Sequence, residues 1–175
     1  MSAPTPEDPG GAPSLLVDTN VWLDALLPWR MQTESARTLI RCARQHDCTL
    51  LYPVHAVKDV FYLCERSAKQ RLREHGGLTE DEASHVYRLA WSCVDGMRSV
   101  ATAVGCDESD LWLAAKYQDV IGDLEDALVV CAAIRAGASY LVTNDVRLLQ
   151  TSPVCAVSSS EAVKLIEAGL LLGEG

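Results

Sequence analysis

Residues 14–17 read SLLV, an uncharged apolar run that stops at Asp18, passes a polar pair, and resumes as apolar at Val21. Three more short runs have this form: TLLYP at 49–53, SYLVT at 139–143 and VCAV at 154–157. Such runs, bounded by polar and turn-forming residues, predict buried strands. A further strand is predicted over 98–104. Between them the apolar spacing shifts to three and four, as at Ala36, Leu39, Ile40 and Ala43, and predicts helices over 21–27, 33–45, 55–74 and 109–117. Pro28 stops the first of these, and Gly76 and Gly77 end the third. Thr79 opens another helix, because Glu82 stands three residues later in capping-box spacing. The run DLEDALVVCAAIRAG is a helix from Asp123 closed by Gly137, and SSEAVKLIEAG is the last. Strand and helix alternate, which predicts an α/β fold with a central parallel sheet covered by helices on both faces. We expect one domain over 14–170, a Pro- and Gly-rich disordered tail over 1–13, and a short tail over 171–175.

In such folds ligands lie at the carboxyl ends of the strands. Asp18 follows SLLV directly and Asp145 follows YLVTN, so two acids distant in sequence should emerge on one edge of the sheet. Asp126 sits in the first turn of the helix leading to that second strand, with Asp123 at its start. Asp59 lies near the beginning of the helix after TLLYP. Each has a purely structural reading as well. Asp18 or Asn20 could cap a helix, Asp123 and Asp126 have capping spacing, and Asp145 could serve a turn. Asp59 lies off the stripe of Val57, Val60, Phe61 and Cys64 and could face water. Together they say more. Carboxylates about 4–5 Å apart repel by roughly 3–4 kcal/mol per pair at an effective dielectric near 20, so a converging set needs a cation or protons. Oxygen donors without His or Cys select Mg2+ or Mn2+, and that chemistry suits phosphodiester hydrolysis.

The net charge of −9 argues against a protein that coats nucleic acid non-specifically. One basic run, ERSAKQRLREH, carries Arg66, Lys69, Arg71 and Arg73, either as an RNA contact or as a solvated helix face. The seven cysteines form no C-x-x-C pair and read as small reduced core residues. Asp24 and Glu125 read as exposed helix acids, and the four histidines suggest no chemistry. No apolar run approaches the roughly 20 residues that span a bilayer. With no basic start of the signal-peptide kind, the expected place is the cytoplasm, with no membrane partner.

The ordered segments LLVDTNVWLDALL, YPVHAVKDVFYLCER and DLEDALVVCAAIRAGASYLVTNDVRLL resemble the motifs of PIN-domain nucleases, a family that includes VapC-type toxins of toxin–antitoxin pairs. The resemblance covers about residues 14 to 168. It implies a three-layer α/β/α fold and a Mg2+- or Mn2+-dependent endoribonuclease. Asp18, Asp126 and Asp145 fall on the family's acidic positions, and Asp123 falls where some members carry an additional ligand. Asp59 stands where the family commonly has glutamate. Asn20, Thr143 and Asn144 match polar positions around the site. The resemblance also implies an RNA substrate and, for a toxin, a small antitoxin partner and a homodimer, with the helices over 20–45 and 55–75 as the interface. The competing reading is a PIN-like module that has lost cleavage and serves as a binding or assembly subunit. A metal-dependent phosphatase of another α/β family would need a D-x-D motif that the sequence lacks.

Overall fold

The computed structural model describes residues 12–77 and 79–170. Their elements are β1 (Ser14–Val17), α1 (Thr19–Leu26), α2 (Thr33–Gln45), β2 (Thr49–Pro53), α3 (Ala56–Glu74), α4 (Glu80–Arg98), β3 (Thr102–Val104), α5 (Glu108–Ile121), α6 (Leu124–Ala136), β4 (Tyr140–Val142), α7 (Val146–Thr151), β5 (Ala156–Val157) and α8 (Ser159–Glu167). The five strands form one parallel sheet in the order β3-β2-β1-β4-β5. The chain extends the sheet first to one side of β1 and then to the other, so the topological switch point falls between β1 and β4.

The pleat explains the three layers. Successive side chains of a strand point to opposite faces, and β1, in the centre, is apolar on both. Leu15 and Val17 enter a core with α1, α2, α3, α4 and α8, joined by Leu50, Tyr52 and Val142 of the neighbouring strands. Leu16 and Leu141 point the other way, into a core with α5, α6 and α7. Leu15, Leu16, Val17, Leu141 and Val142 are fully buried, so this is a sheet covered on both faces. Trp22 locks α1 onto β1: its ring is buried, its Nε1 donates to the Val17 carbonyl at 3.0 Å, and its ring meets Tyr52 edge-on.

The expected strands at 14–17, 49–53, 139–143 and 154–157 are present, the last two somewhat shortened. The strand expected over 98–104 is present only at its end. Helix α4 continues to Arg98, and only Thr102–Val104 pair with β2. Thr79 caps α4 through the expected capping box with Glu82. The helix expected over 109–117 runs longer, to Ile121, and ends at Gly122, whose positive φ of 72° suits a residue without a side chain. Cys106 and Cys155 are exposed, whereas the other five cysteines are buried as expected. The tails expected over 1–13 and 171–175 fall outside the described residues, except for Ala12 and Pro13. Pro13 is buried, and its carbonyl accepts from Thr49 N at 2.9 Å, so it is packed and not part of a loose tail. Among the described residues no helix is long and apolar enough to cross a membrane.

Candidate active site

The β1–β4 and β4–β5 ladders each continue one step past the strands. Asp18 N donates to Val142 O at 3.0 Å, and Thr143 N donates to Val157 O at 3.0 Å. Strand pairing therefore fixes the backbone of Asp18 and Thr143 side by side at the carboxyl edge, at the switch point. Thr143 Oγ1 donates to Asp18 Oδ2 at 2.7 Å, and Asn20 Nδ2 donates to the same oxygen. Oδ1 carries no side-chain donor among the described residues. The cap reading of Asp18 fails in its simple form: it stands at the N-cap of α1, but its side chain makes no capping hydrogen bond. Its carboxyl is 4% exposed. Burial pushes its pKa from 3.8 to about 7, with a further upward push from Asp126 and Glu125 against the pull of the Thr143 hydrogen bond. A buried acid in that condition is poised for a cation or a proton.

Asp126 occupies the first turn of α6, half-buried. Burial raises its pKa, and the charges of Asp123 and Asp145 raise it further against Arg147. Asp123 caps α6, its Oδ1 accepting from Glu125 N at 2.9 Å and Asp126 N at 3.1 Å. Asp145 caps α7 through Oδ1 to Leu148 N at 2.9 Å, while its own N donates to Thr143 Oγ1 at 3.1 Å. Each of the two uses only Oδ1 for its cap, so Oδ2 carries no capping bond. Asp59 lies half-buried in the first turn of α3 with Lys58 Nζ 3.4 Å from its carboxylate. Its charge reaches the others through Glu125, whose pKa is raised by burial and then by Asp59, Asp123 and Asp126. Glu125 is exposed, as its sequence position suggested, yet it stands close enough to Asp59, Asp123 and Asp126 to feel their charges.

The expected convergence is looser than four carboxylates within about 4–5 Å. Among the described residues no three acids, histidines or cysteines close on one point as a metal cage. Like charges without a cation repel, and Asp123 and Asp145 are turned toward their helix caps. The donor set still fits one cation class. It is oxygen throughout, as hard ions require, and Mg2+ commonly keeps several waters and takes only one or two carboxylates. Thr19 Oγ1, beside Asp18, is buried without a hydrogen-bond partner. His55, after β2, has both ring nitrogens buried and unpartnered, and burial lowers its pKa against the pull of Asp59.

A second polar network backs the site, and its key member was hidden in the sequence. Asp24 is 4% exposed, not a surface acid. Arg30 Nε donates to Asp24 Oδ1 at 2.6 Å, and Asn144 Nδ2 donates to Asp24 Oδ2 at 2.9 Å. Asn144 N donates to Asn20 Oδ1 at 3.0 Å, and Asn144 Oδ1 accepts from the N and Oγ of Ser159. Asn20 and Thr143 thus bond Asp18 directly, while Asn144 bonds Asp24 and Asn20. Most of the basic run extends along α3 away from Asp59. At 1.5 Å of rise per residue, α3 carries Arg66 about 10 Å and Arg73 about 21 Å along the helix from Asp59. Within that run Lys69 pairs with Glu65 at 2.7 Å, and the Arg71 guanidinium lies 5.1 Å over the Trp29 ring.

Three solved structures share this fold. One is a chain of the VapBC2 complex from Rickettsia felis bound to promoter DNA, with TM-score 0.59 and 12% identity over 83% of this chain and 98% of that one. VapBC-1 from nontypeable Haemophilus influenzae gives TM-score 0.57 and 11% identity, over 84% and 98%. FitAB bound to an IR36 DNA fragment gives 0.53 and 16%, over 83% and 95%. No curated protein matches the sequence. The PIN-domain family pattern matches residues 14–147, from β1 through the acid after β4. By that match across most of its length, the chain belongs to the PIN-domain family.

Proposed function

We propose that the protein is a divalent-cation-dependent endoribonuclease and the toxin of a toxin–antitoxin pair. The observation that carries the reading is the buried Asp18 at the β1–β4 switch point, facing the charge of Asp126. Asp18, Asp126 and Asp145 would hold Mg2+ or Mn2+, with Asp123 and Asp59 completing the oxygen ring. The bound cation would supply Lewis acidity for phosphodiester hydrolysis and screen the phosphate charge. The chain's own part is positioning. Thr143 and Asn20 fix one Asp18 oxygen, the caps of α6 and α7 fix one oxygen each of Asp123 and Asp145, and the remaining oxygens are left to the cation. Arg147, whose charge already acts on Asp126, stands beside the site as a local cation in a chain of net charge −9.

The antitoxin and homodimer readings draw support from an exposed aromatic face. Phe61, Tyr62, Tyr87 and Trp91 meet edge-to-face across α3 and α4, with Tyr62, Tyr87 and Trp91 each about half exposed. Contiguous apolar surface of this kind marks a partner site. A partner seated there would also cover α4, beyond the helices over 20–45 and 55–75. The VapBC and FitAB neighbours are toxin–antitoxin-type pairs in their own structures, and a small partner of that kind is what this face would meet here.

Cleavage of single-stranded RNA with Mg2+ or Mn2+, and with EDTA as the blank, tests the function. Hydrolysis by an activated water leaves a 5′-phosphate and a 3′-hydroxyl, and Asp18→Asn should remain folded without cleaving. Products with a 2′,3′-cyclic phosphate, or unchanged cleavage by that variant, would overturn the assignment.

A further inference from the structure

A cleft of about 470 Å³ opens beside the acids, between Asn20, Asn144 and Asp145 on one wall and Trp29, Arg30 and Gln32 on the other. Its volume lies in the ~300–1,000 Å³ range of ligand clefts. Arg30 is its one cationic wall residue. Its backbone is pinned, with its N donating to Leu27 O at 3.2 Å and its carbonyl accepting from Thr33 Oγ1 at 2.7 Å. Its side chain is held by Nε alone, on buried Asp24, and among the described residues Nη1 and Nη2 have no partner. Asp24 in turn is clamped by Asn144, which also reaches Asn20 and through it Asp18. An arginine presented in this way, with its outer fork unused, suits a phosphate.

We infer that the cleft is a phosphate-binding subsite for the RNA strand next to the cut, with Arg30 as its contact and Asp24 as the residue that positions Arg30. This rests on the ribonuclease reading and adds to it a residue outside the acidic ring. The logic is electrostatic. Asp18, Asp126, Asp145 and Glu125 repel a polyanion wherever a cation does not screen them, so a strand crossing the site needs a fixed positive group at its flank. Asp24 serves that group at an apparent cost, since it adds another negative charge nearby. Its burial and two hydrogen bonds show where that charge is spent: on the guanidinium Nε and on Asn144.

The test is binding of a short fluorescein-labelled single-stranded RNA in Ca2+ buffer, read by anisotropy at several KCl concentrations. Wild type is compared with Arg30→Ala, Arg30→Lys, Asp24→Asn and the control Arg44→Ala. Arg44 lies in the last turn of α2, which leads into the opposite edge of the sheet. Arg30→Ala should weaken binding about tenfold and reduce the slope of log K against log[salt] by about 0.7. Arg30→Lys should recover part of the affinity, and Arg44→Ala should match wild type. Asp24→Asn discriminates by sign. Loss of a nearby negative charge would tighten RNA binding if only net charge mattered, whereas loss of the Arg30 anchor weakens it. Thermal melts verify that each variant is folded. Wild-type binding with Arg30→Ala unchanged, or tighter binding by Asp24→Asn, overturns the subsite and leaves the ribonuclease reading standing. Failure of the wild type itself to bind RNA overturns both.

Discussion

Replacing Asp18 by asparagine should stabilise the metal-free protein at neutral and higher pH while abolishing its chemistry. The Asp18 carboxyl is 4% exposed and its pKa is raised from 3.8 to about 7, chiefly by burial. A folded-state pKa above the unfolded value means that the folded state binds the proton more tightly. Asp18's contribution is therefore fully present below pH 3.8, is lost as pH rises through the window up to about 7, and is then constant. Over that window the loss is on the order of 4 kcal/mol. An asparagine cannot ionise, and its carboxamide oxygen can still accept from Thr143 and Asn20. Its amide group needs a partner, and a missing one costs about 1 kcal/mol. In EDTA at about pH 8 the variant should therefore exceed wild type by roughly 3 kcal/mol, and near pH 5 the gap should shrink to about 1 kcal/mol. Urea unfolding at both pH values reads the difference directly. Saturating Mn2+ should reverse the order, because a ligand at a thousand times its Kd stabilises the folded protein that binds it by about 4.1 kcal/mol. Equal stabilities at both pH values, or a wild type that is the more stable in EDTA at high pH, would refute a dry and repelled Asp18.

Two further variants separate local structure from chemistry. Asp145→Asn keeps the cap on α7 and should unfold near wild type yet lose cleavage, whereas Asp145→Ala should also lose about 1 kcal/mol of stability in urea titration. Gly122→Ala places a Cβ 2.4 Å from Arg147 Nη2 at a φ of 72°, so it should lower stability by about 1–2 kcal/mol and displace Arg147 from beside Asp126. The displacement should appear as a higher cleavage pH optimum, read from a pH–rate profile, because Arg147 holds the Asp126 pKa down.

The sheet was legible because β1, β2 and β4 are short apolar runs that fill both layers, and the acids after β1 and β4 follow from where parallel strands end. Asp126 and Asp123 were legible as helix-start acids, and their nearness to Asp18 came from the family resemblance more than from periodicity. Asp24 could not be read. Its burial is produced by Arg30 six residues on and by Asn144, 120 residues away, contacts that no local pattern encodes. Glu125 is exposed as its position suggests, but its nearness to Asp59 was not legible, since it depends on α3 bringing Asp59 toward the start of α6. The third strand was read too long because Val100, Ala101, Ala103 and Val104 continue one apolar run, and nothing local marks where pairing with β2 begins. For the basic run of α3 the sequence shows charge but not placement: Lys69 pairs with Glu65, and Arg71 lies over Trp29.

Calorimetric titration of Mn2+ into the protein at about pH 7, in two buffers of different ionisation enthalpy, tests the central claim most directly. The account predicts saturable binding with proton release, because Asp18 with a pKa of about 7 must give up its proton to hold a cation, and loss of both signals in Asp18→Asn. No heat of binding at millimolar Mn2+, or identical binding by wild type and Asp18→Asn, would contradict it.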